Sequence, residues 1–221
     1  RNMSSAASDV YKRQQSNSTV TLNDQTITMA ITAANGSSSA VSDGSTTNDA
    51  TLTLTFTSSA ATTDFAVGDV TVSGGSLSSF SGTGTTYTAT FTPTTDGATT
   101  IDVAAGTFTD ASGYSNAAAT QFNWTYDSIG PLITITASDG SNVVANNSTT
   151  NDGTLSVTFT ANETITGFTA ADVGVVGGSL SSFSGSGTTY TATFTPSSNR
   201  NTMIYVPASG FTDTATNNNF A

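Results

Sequence analysis

The chain contains no cysteine and no histidine. Ser-His and Cys-His nucleophilic pairs, zinc fingers, thiolate clusters and disulfides are therefore excluded. Positive charge is almost as scarce. Of the four bases, Arg1, Lys12 and Arg13 lie in the first thirteen positions, and from residue 14 onward fourteen acids face a single base, Arg200. A surface with a net charge of −13 over that stretch repels phosphate backbones and anionic lipid head groups. Neither nucleic acid nor a membrane surface is an expected partner. No apolar run approaches the length of a membrane span, so direct membrane insertion is not expected, and the opening residues do not read as a signal peptide. Glutamate is nearly missing too: Glu163 stands alone. With that and no aromatic-rich cleft, a carboxylate-pair glycosidase has little to build on, and the chain reads as not an enzyme.

What the chain does have is threonine, at 47 of 221 positions, together with 12 Phe and 6 Tyr. The hydrophobic share of 35% is too large for a solvated coil, and β-branched and aromatic residues fit pleated, half-buried surfaces. The organising feature is a duplication. Residues 74–93 read GGSLSSFSGTGTTYTATFTP and residues 177–196 read GGSLSSFSGSGTTYTATFTP, an offset of 103 with one difference, Thr83 against Ser186. The same offset pairs Asp49 with Asp152, Asp69 with Asp172, Ile101 with Ile204 and Asp110 with Asp213; before Ser45 it becomes 104. A period of that size is a whole small sandwich rather than a solenoid turn.

Within each copy apolar and hydroxyl residues alternate. Leu52, Leu54 and Phe56 alternate with threonines, as do Tyr87, Ala89 and Phe91, and Phe122, Trp124 and Tyr126 alternate with Gln121, Asn123 and Thr125. That is the pattern of antiparallel strands packed on one face. The expected fold is all-β: two tandem immunoglobulin-like β-sandwich domains, residues 21–127 and 128–221. The second is expected to lack its last strand, since the copy stops at Ala221, short of any counterpart of residues 120–126. Residues 1–20 read as a non-domain N-terminal segment, residues 1–14 resembling read-through of non-native sequence, and the whole as a fragment of a longer array.

The second copy carries a recognisable run: Val157-Thr-Phe-Thr-Ala-Asn-Glu163, then Ile165, Gly167-Phe168, Ala171-Asp172-Val173 and Gly177-Gly178-Ser179-Leu180. With the loop from Phe108 through Asp110 and Gly113 to Asn116, it resembles the bacterial Ig-like repeats of large surface proteins and adhesins. One departure stands out, because the first copy has Ala60 where the second has Glu163. The resemblance implies an extracellular or bacterial cell-surface location and a spacer or stalk supporting cell adhesion. Its partners would be neighbouring Ig-like repeats of the same longer chain and a cell-surface or matrix ligand. A Lys–Asn isopeptide staple, found in some surface Ig-like domains, is unavailable because the sole lysine is Lys12. The alternative is a binding module whose loops recognise a glycan or protein directly.

Carboxylates are the remaining ionic chemistry. Asp49/Asp152, Asp69/Asp172 and Asp110/Asp213 recur beside turns, where Asp ordinarily bonds nearby amides. A sharper expectation follows from strand order in an immunoglobulin-like sandwich. The loops carrying Asn48-Asp49 and Asp96 fall at the C-terminal pole of the first domain. Those carrying Glu163 and Asp213 with Asn217 fall at the N-terminal pole of the second. The short linker with Asp127 lies between. Asp49, Asp96, Asp127, Glu163 and Asp213 are therefore candidate oxygen ligands for Ca²⁺ at the interdomain junction, bound mainly through Asp127.

Overall fold

A computed structural model describes residues 26–221. The segment expected to be non-domain, residues 1–20, lies outside the described residues. The first repeat runs β1 (Met29–Ala34), β2 (Ala40–Val41), β3 (Ser45–Thr47), β4 (Leu52–Thr62), β5 (Val70–Ser73), β6 (Gly75–Pro93), β7 (Gly97–Val103) and β8 (Phe122–Tyr126). The second runs β9 (Ile133–Ser138), β10 (Val143–Val144), β11 (Leu155–Ala161), β12 (Ile165–Thr166), β13 (Gly174–Val176), β14 (Gly178–Ser186), β15 (Thr189–Pro196), β16 (Met203–Tyr205) and β17 (Thr212–Asp213). Among the described residues there is no α-helix; single 3₁₀ turns precede β5 and β13.

The first repeat is a sandwich of two four-stranded sheets, ordered β2-β1-β4-β6 and β3-β8-β7-β5. Every pairing is antiparallel except β3 on β8, where Ser45, Thr46 and Thr47 lie parallel to Trp124, Thr125 and Tyr126. The alternation in the sequence explains the layers. Leu52, Leu54, Phe56, Phe91, Ile101 and Trp124 are almost wholly buried between the sheets, and the intervening threonines face outward. β6 is a single strand by assignment but folds back on itself: Gly75 lies against Phe91 and Thr92, and Gly82 against Thr86 and Tyr87. The close approach at Gly82 leaves no room for a Cβ. In the second repeat the same sequence divides into the hairpin β14–β15.

The second repeat builds one five-stranded sheet, β10-β9-β11-β15-β14, but faces it with two fragments, β13-β16 and β12-β17. Its described residues contain no counterpart of β8. Residues 148–150, identical to the Ser-Thr-Thr of β3, are not a strand there. The second core, centred on Val157, Phe159, Phe168 and Phe194, is separate from the first.

Two asparagines, equivalent across the repeats, hold the loop before the last strand position. Buried Asn116 accepts from the Thr107 and Phe108 amides and donates to the carbonyls of Ala104 and Ala117. Asn219 does the same with Gly210, Phe211, Pro207 and Phe220. Each side chain thus satisfies four backbone groups that burial would otherwise leave unpaired.

Candidate metal centre

The linker from β8 to β9 is clamped rather than loose. Asp96 accepts from both the backbone amide and the hydroxyl of Ser128, each at 2.9 Å, which ties the end of the first repeat to the linker. Asp127 accepts from the Ile129 amide at 3.2 Å. The second repeat closes on the same residues. Phe220 N–H donates to the Pro131 carbonyl, and a Cβ on Gly130 would collide with the Asn218 carbonyl oxygen. Leu132 and Asn162 bond each other reciprocally, fixing the loop after β11 against the start of β9. Glu163, next along that loop, is thereby brought to the junction.

The result is a convergence of three carboxylates from three segments. Asp127 from the linker, Glu163 from the loop after β11 and Asp213 from β17 each place one oxygen within 4.8 Å of the others. Asp213 is almost fully buried. Its two oxygens accept from the Asn217 backbone amide at 2.8 Å and side-chain amide at 2.9 Å. Asn217 also donates to the Asp127 carbonyl at 2.8 Å and accepts from the Asn48 side chain at 3.0 Å, so one amide joins both repeats and the linker. Burial raises the Glu163 carboxyl above its ordinary value, and the neighbouring charges of Asp127 and Asp213 push it the same way. The sole base among the described residues, Arg200, lies on the loop between β15 and β16. Three anions held this close favour either a proton or a cation among them.

Of the five residues expected at this pole, the structure brings three together. Asp49 sits nearby but accepts from the Thr47 hydroxyl at 2.7 Å, and Asp96 is engaged with Ser128; neither contributes to the converging oxygens. The other recurring aspartates follow the turn-capping expectation. Asp69 and Asp172 accept from the amides of Ala66 and Thr169 at the 3₁₀ turns, Asp110 accepts from the amides of Ser112 and Tyr114, and Asp152 accepts from the Thr150 hydroxyl. Asn217 and Asn48 were not among the expected ligands, yet Asn217 organises the cluster. A signal for it exists in the duplication: the first repeat has Tyr114 where the second has Asn217, and Ala60 where the second has Glu163.

The first repeat closes the corresponding pole differently. Asp64 accepts from the Thr62 hydroxyl at 2.6 Å and from both the amide and hydroxyl of Thr109, which hold its carboxyl below its ordinary value; the second repeat has Gly167 there. A hydrogen-bonded latch thus replaces the acid cluster.

The bacterial Ig-like domain family matches residues 35–126 and again 127–221, and the two matches meet at Asp127. The chain belongs to the bacterial Ig-like domain family. Membership carries a generic structural or adhesion-related role of the kind such domains have in bacterial surface proteins, and the family is in general non-catalytic. The comparison with curated proteins returns no match. Among the described residues no helix is long and apolar enough to cross a membrane. The acidic triad at the meeting point of the two Ig-like domains can hold a metal ion.

Proposed function

We propose that this pair of Ig-like domains, bounded at residues 21–127 and 128–221, is a spacer of an extracellular bacterial repeat protein or adhesin. Ca²⁺ held by Asp127, Glu163 and Asp213 fixes the angle between the two domains. The observation that carries the reading is the convergence of three carboxylates from the linker, one loop and one strand of the second domain, beside a linker already bonded to the first. The donor set fits a hard cation: Ca²⁺ accepts carboxylate oxygens singly or in pairs and completes six to eight ligands with carbonyls and water. The twenty-residue block that the two domains share with one difference supports a spacer over a binding module, because arrayed modules share stacking surfaces whereas ligand sites need differentiated loops.

Small-angle scattering on the whole chain, first with Ca²⁺ and then with chelator, tests it. The expected result is a narrower distribution of interdomain distances with Ca²⁺, lost in Asp127→Asn and Glu163→Gln. Identical maximum dimension and spread in both conditions, unchanged by either substitution, would overturn the calcium reading.

A further inference from the structure

Asn35-Gly36 is the one Asn-Gly pair in the chain, and it opens the turn that joins β1 to β2, between the paired residues Ala34 and Ala40. The turn is closed by the Asn35 amide on the Ser39 carbonyl and the Ser38 amide on the Asn35 carbonyl, each at 2.9 Å. The Asn35 side chain is held as well. Its Oδ1 accepts from the backbone amides of Ser37 at 3.1 Å and Ser39 at 3.0 Å, which folds the side chain forward and closes a ring containing both Cγ and the Gly36 nitrogen. The Gly36 amide donates to no group among the described residues, and residues 36–39 are exposed.

Nothing in the fold requires glycine at position 36. A Cβ there would meet nothing within 4 Å, and Gly36 is not among the glycines of positive φ. The second domain shows the same turn with the acid already in place. By the offset of 104, Asp139-Gly140 stands where the first domain has Asn35-Gly36, in a turn one residue shorter. The Asp139 amide donates to the Asn142 carbonyl, as the Asn35 amide does to that of Ser39. Asp139 Oδ1 accepts from the amides of Asn142 and Ser141, both at 2.7 Å, and these bonds hold its carboxyl below its ordinary value. A turn of this kind therefore accepts either an amide or a carboxylate at its first position.

We propose that Asn35 is a site of spontaneous deamidation, with water as the co-reactant. The Gly36 nitrogen gives its proton to hydroxide and bonds to Cγ of Asn35, closing a cyclic imide. Negative charge collects on Oδ1 in that step, at the oxygen the Ser37 and Ser39 amides already face. The Cγ–Nδ2 bond then breaks, and the leaving nitrogen takes a proton from water and departs as ammonia. Water opens the imide at one of its two carbonyls and returns a proton to the Gly36 nitrogen, so the product is aspartate or isoaspartate. Glycine favours the attack because it has no Cβ to obstruct the approach of its own nitrogen. The outcome is a one-way gain of negative charge at the β1–β2 turn, which gives the first domain the acid that the second carries as Asp139. The turn shares no residue with the acidic triad, so the site stands apart from the calcium reading.

The test incubates the whole chain in mildly alkaline buffer made with water enriched in heavy oxygen, followed by peptide mapping and by a methyltransferase specific for isoaspartate. The peptide carrying Asn35 is expected to become an acid with one heavy oxygen, in normal and isoaspartyl forms, ahead of every other asparagine. Gly36→Ala, which the open space at that position accommodates, should slow the conversion roughly tenfold, about 1.4 kcal/mol in the barrier. If that variant disturbs the turn, Asn35→Gln, whose longer side chain must close a larger ring, supplies the same control. Asn35→Asp should leave the melting of the first domain, read from Trp124 fluorescence, unchanged, because the matching turn of the second domain already holds Asp139. An Asn35 peptide that keeps its amide throughout, conversion at another asparagine first, or a rate unaltered in both Gly36→Ala and Asn35→Gln overturns the proposal. So does a first domain that melts lower in Asn35→Asp, since the turn would then reject the product.

Discussion

The two domains share a twenty-residue block with one difference, yet they do not share a core. Leu52 and Ile101 are completely buried in the first; their counterparts Leu155 and Ile204 are only half-buried in the second. Trp124 bridges the sheets of the first domain, stacking edge-on against Phe91 at 6.0 Å, while Phe194 in the second has no such partner. The residues that differ in burial are the same residues in the same strands. Burial is thus a property of the assembled sandwich, and a strand of five residues decides how dry its neighbours are.

The largest consequence is in stability. Phe122 and Trp124 are buried and Tyr126 partly so, and each such side chain is worth on the order of 1.5–3 kcal/mol against a domain total of roughly 5–15. Calorimetry of the chain is expected to show two transitions, the lower belonging to the second domain. Trp124→Ala should then remove about 3–5 kcal/mol from the first domain and bring its transition down towards the second. A single transition in the unaltered chain, or a gap that survives Trp124→Ala, would break the comparison.

A smaller difference lies in the loop after β17. Thr216 has φ of 73°, a left-handed conformation that a β-branched residue rarely adopts, where the first domain has Gly113 at 83°. Thr216→Gly is expected to stabilise the second domain by about 1 kcal/mol and to leave the first unchanged. Urea unfolding followed by fluorescence of the first domain's lone tryptophan and by backbone dichroism would separate the two effects. A loss of stability would mean that Thr216 makes a contact outweighing its strain.

The smallest expected effect is the response to acid, and its sign differs between the domains. Glu163 is raised above 4.5, so the folded second domain holds that proton more tightly than the unfolded chain does. Its stability therefore increases as pH falls through the raised value towards 4.5 and decreases as pH rises back through it. Asp64 in the first domain is lowered from 3.8 by its bonds to Thr62 and Thr109, so its contribution is present above 3.8 and is lost below it. Asp139 in the second domain acts in the same direction as Asp64, through the amides of Asn142 and Ser141. The gap between the transitions should narrow on moving from neutral pH to about 4.5. Glu163→Gln should narrow it at neutral pH by less than about 1 kcal/mol, the cluster being partly solvated. A melting gap independent of pH between 7 and about 4.5 would refute the assignment.

Much of this was legible in the sequence because the duplication repeats every strand signal. The alternation at Leu52, Leu54 and Phe56, and at Tyr87, Ala89 and Phe91, predicts which side chains are buried, and they are. The order of strands also placed Asp127, Glu163 and Asp213 at one junction. The detailed partners were not legible. Asp49 and Asp96 carry the same carboxylate as Asp213, and only the local backbone determines that one meets the Thr47 hydroxyl and the other the Ser128 amide. Asn217 was placed at this pole beside Asp213, but its bridging of Asp213, Asp127 and Asn48 was not legible, because an amide in an Asn-rich loop carries no periodic signal. Strand structure at Ser45–Thr47 depends on a partner 79 positions away, Trp124–Tyr126, and no local pattern at the identical residues 148–150 encodes that.

The parallel pairing of β3 with β8 has a mechanical meaning. One strand lies near the start of the first domain and the other leads directly into the linker. A pull on the two ends of the domain therefore draws them in opposite directions along their length. The hydrogen bonds between Ser45–Thr47 and Trp124–Tyr126 then bear the load in shear, together, instead of opening one after another.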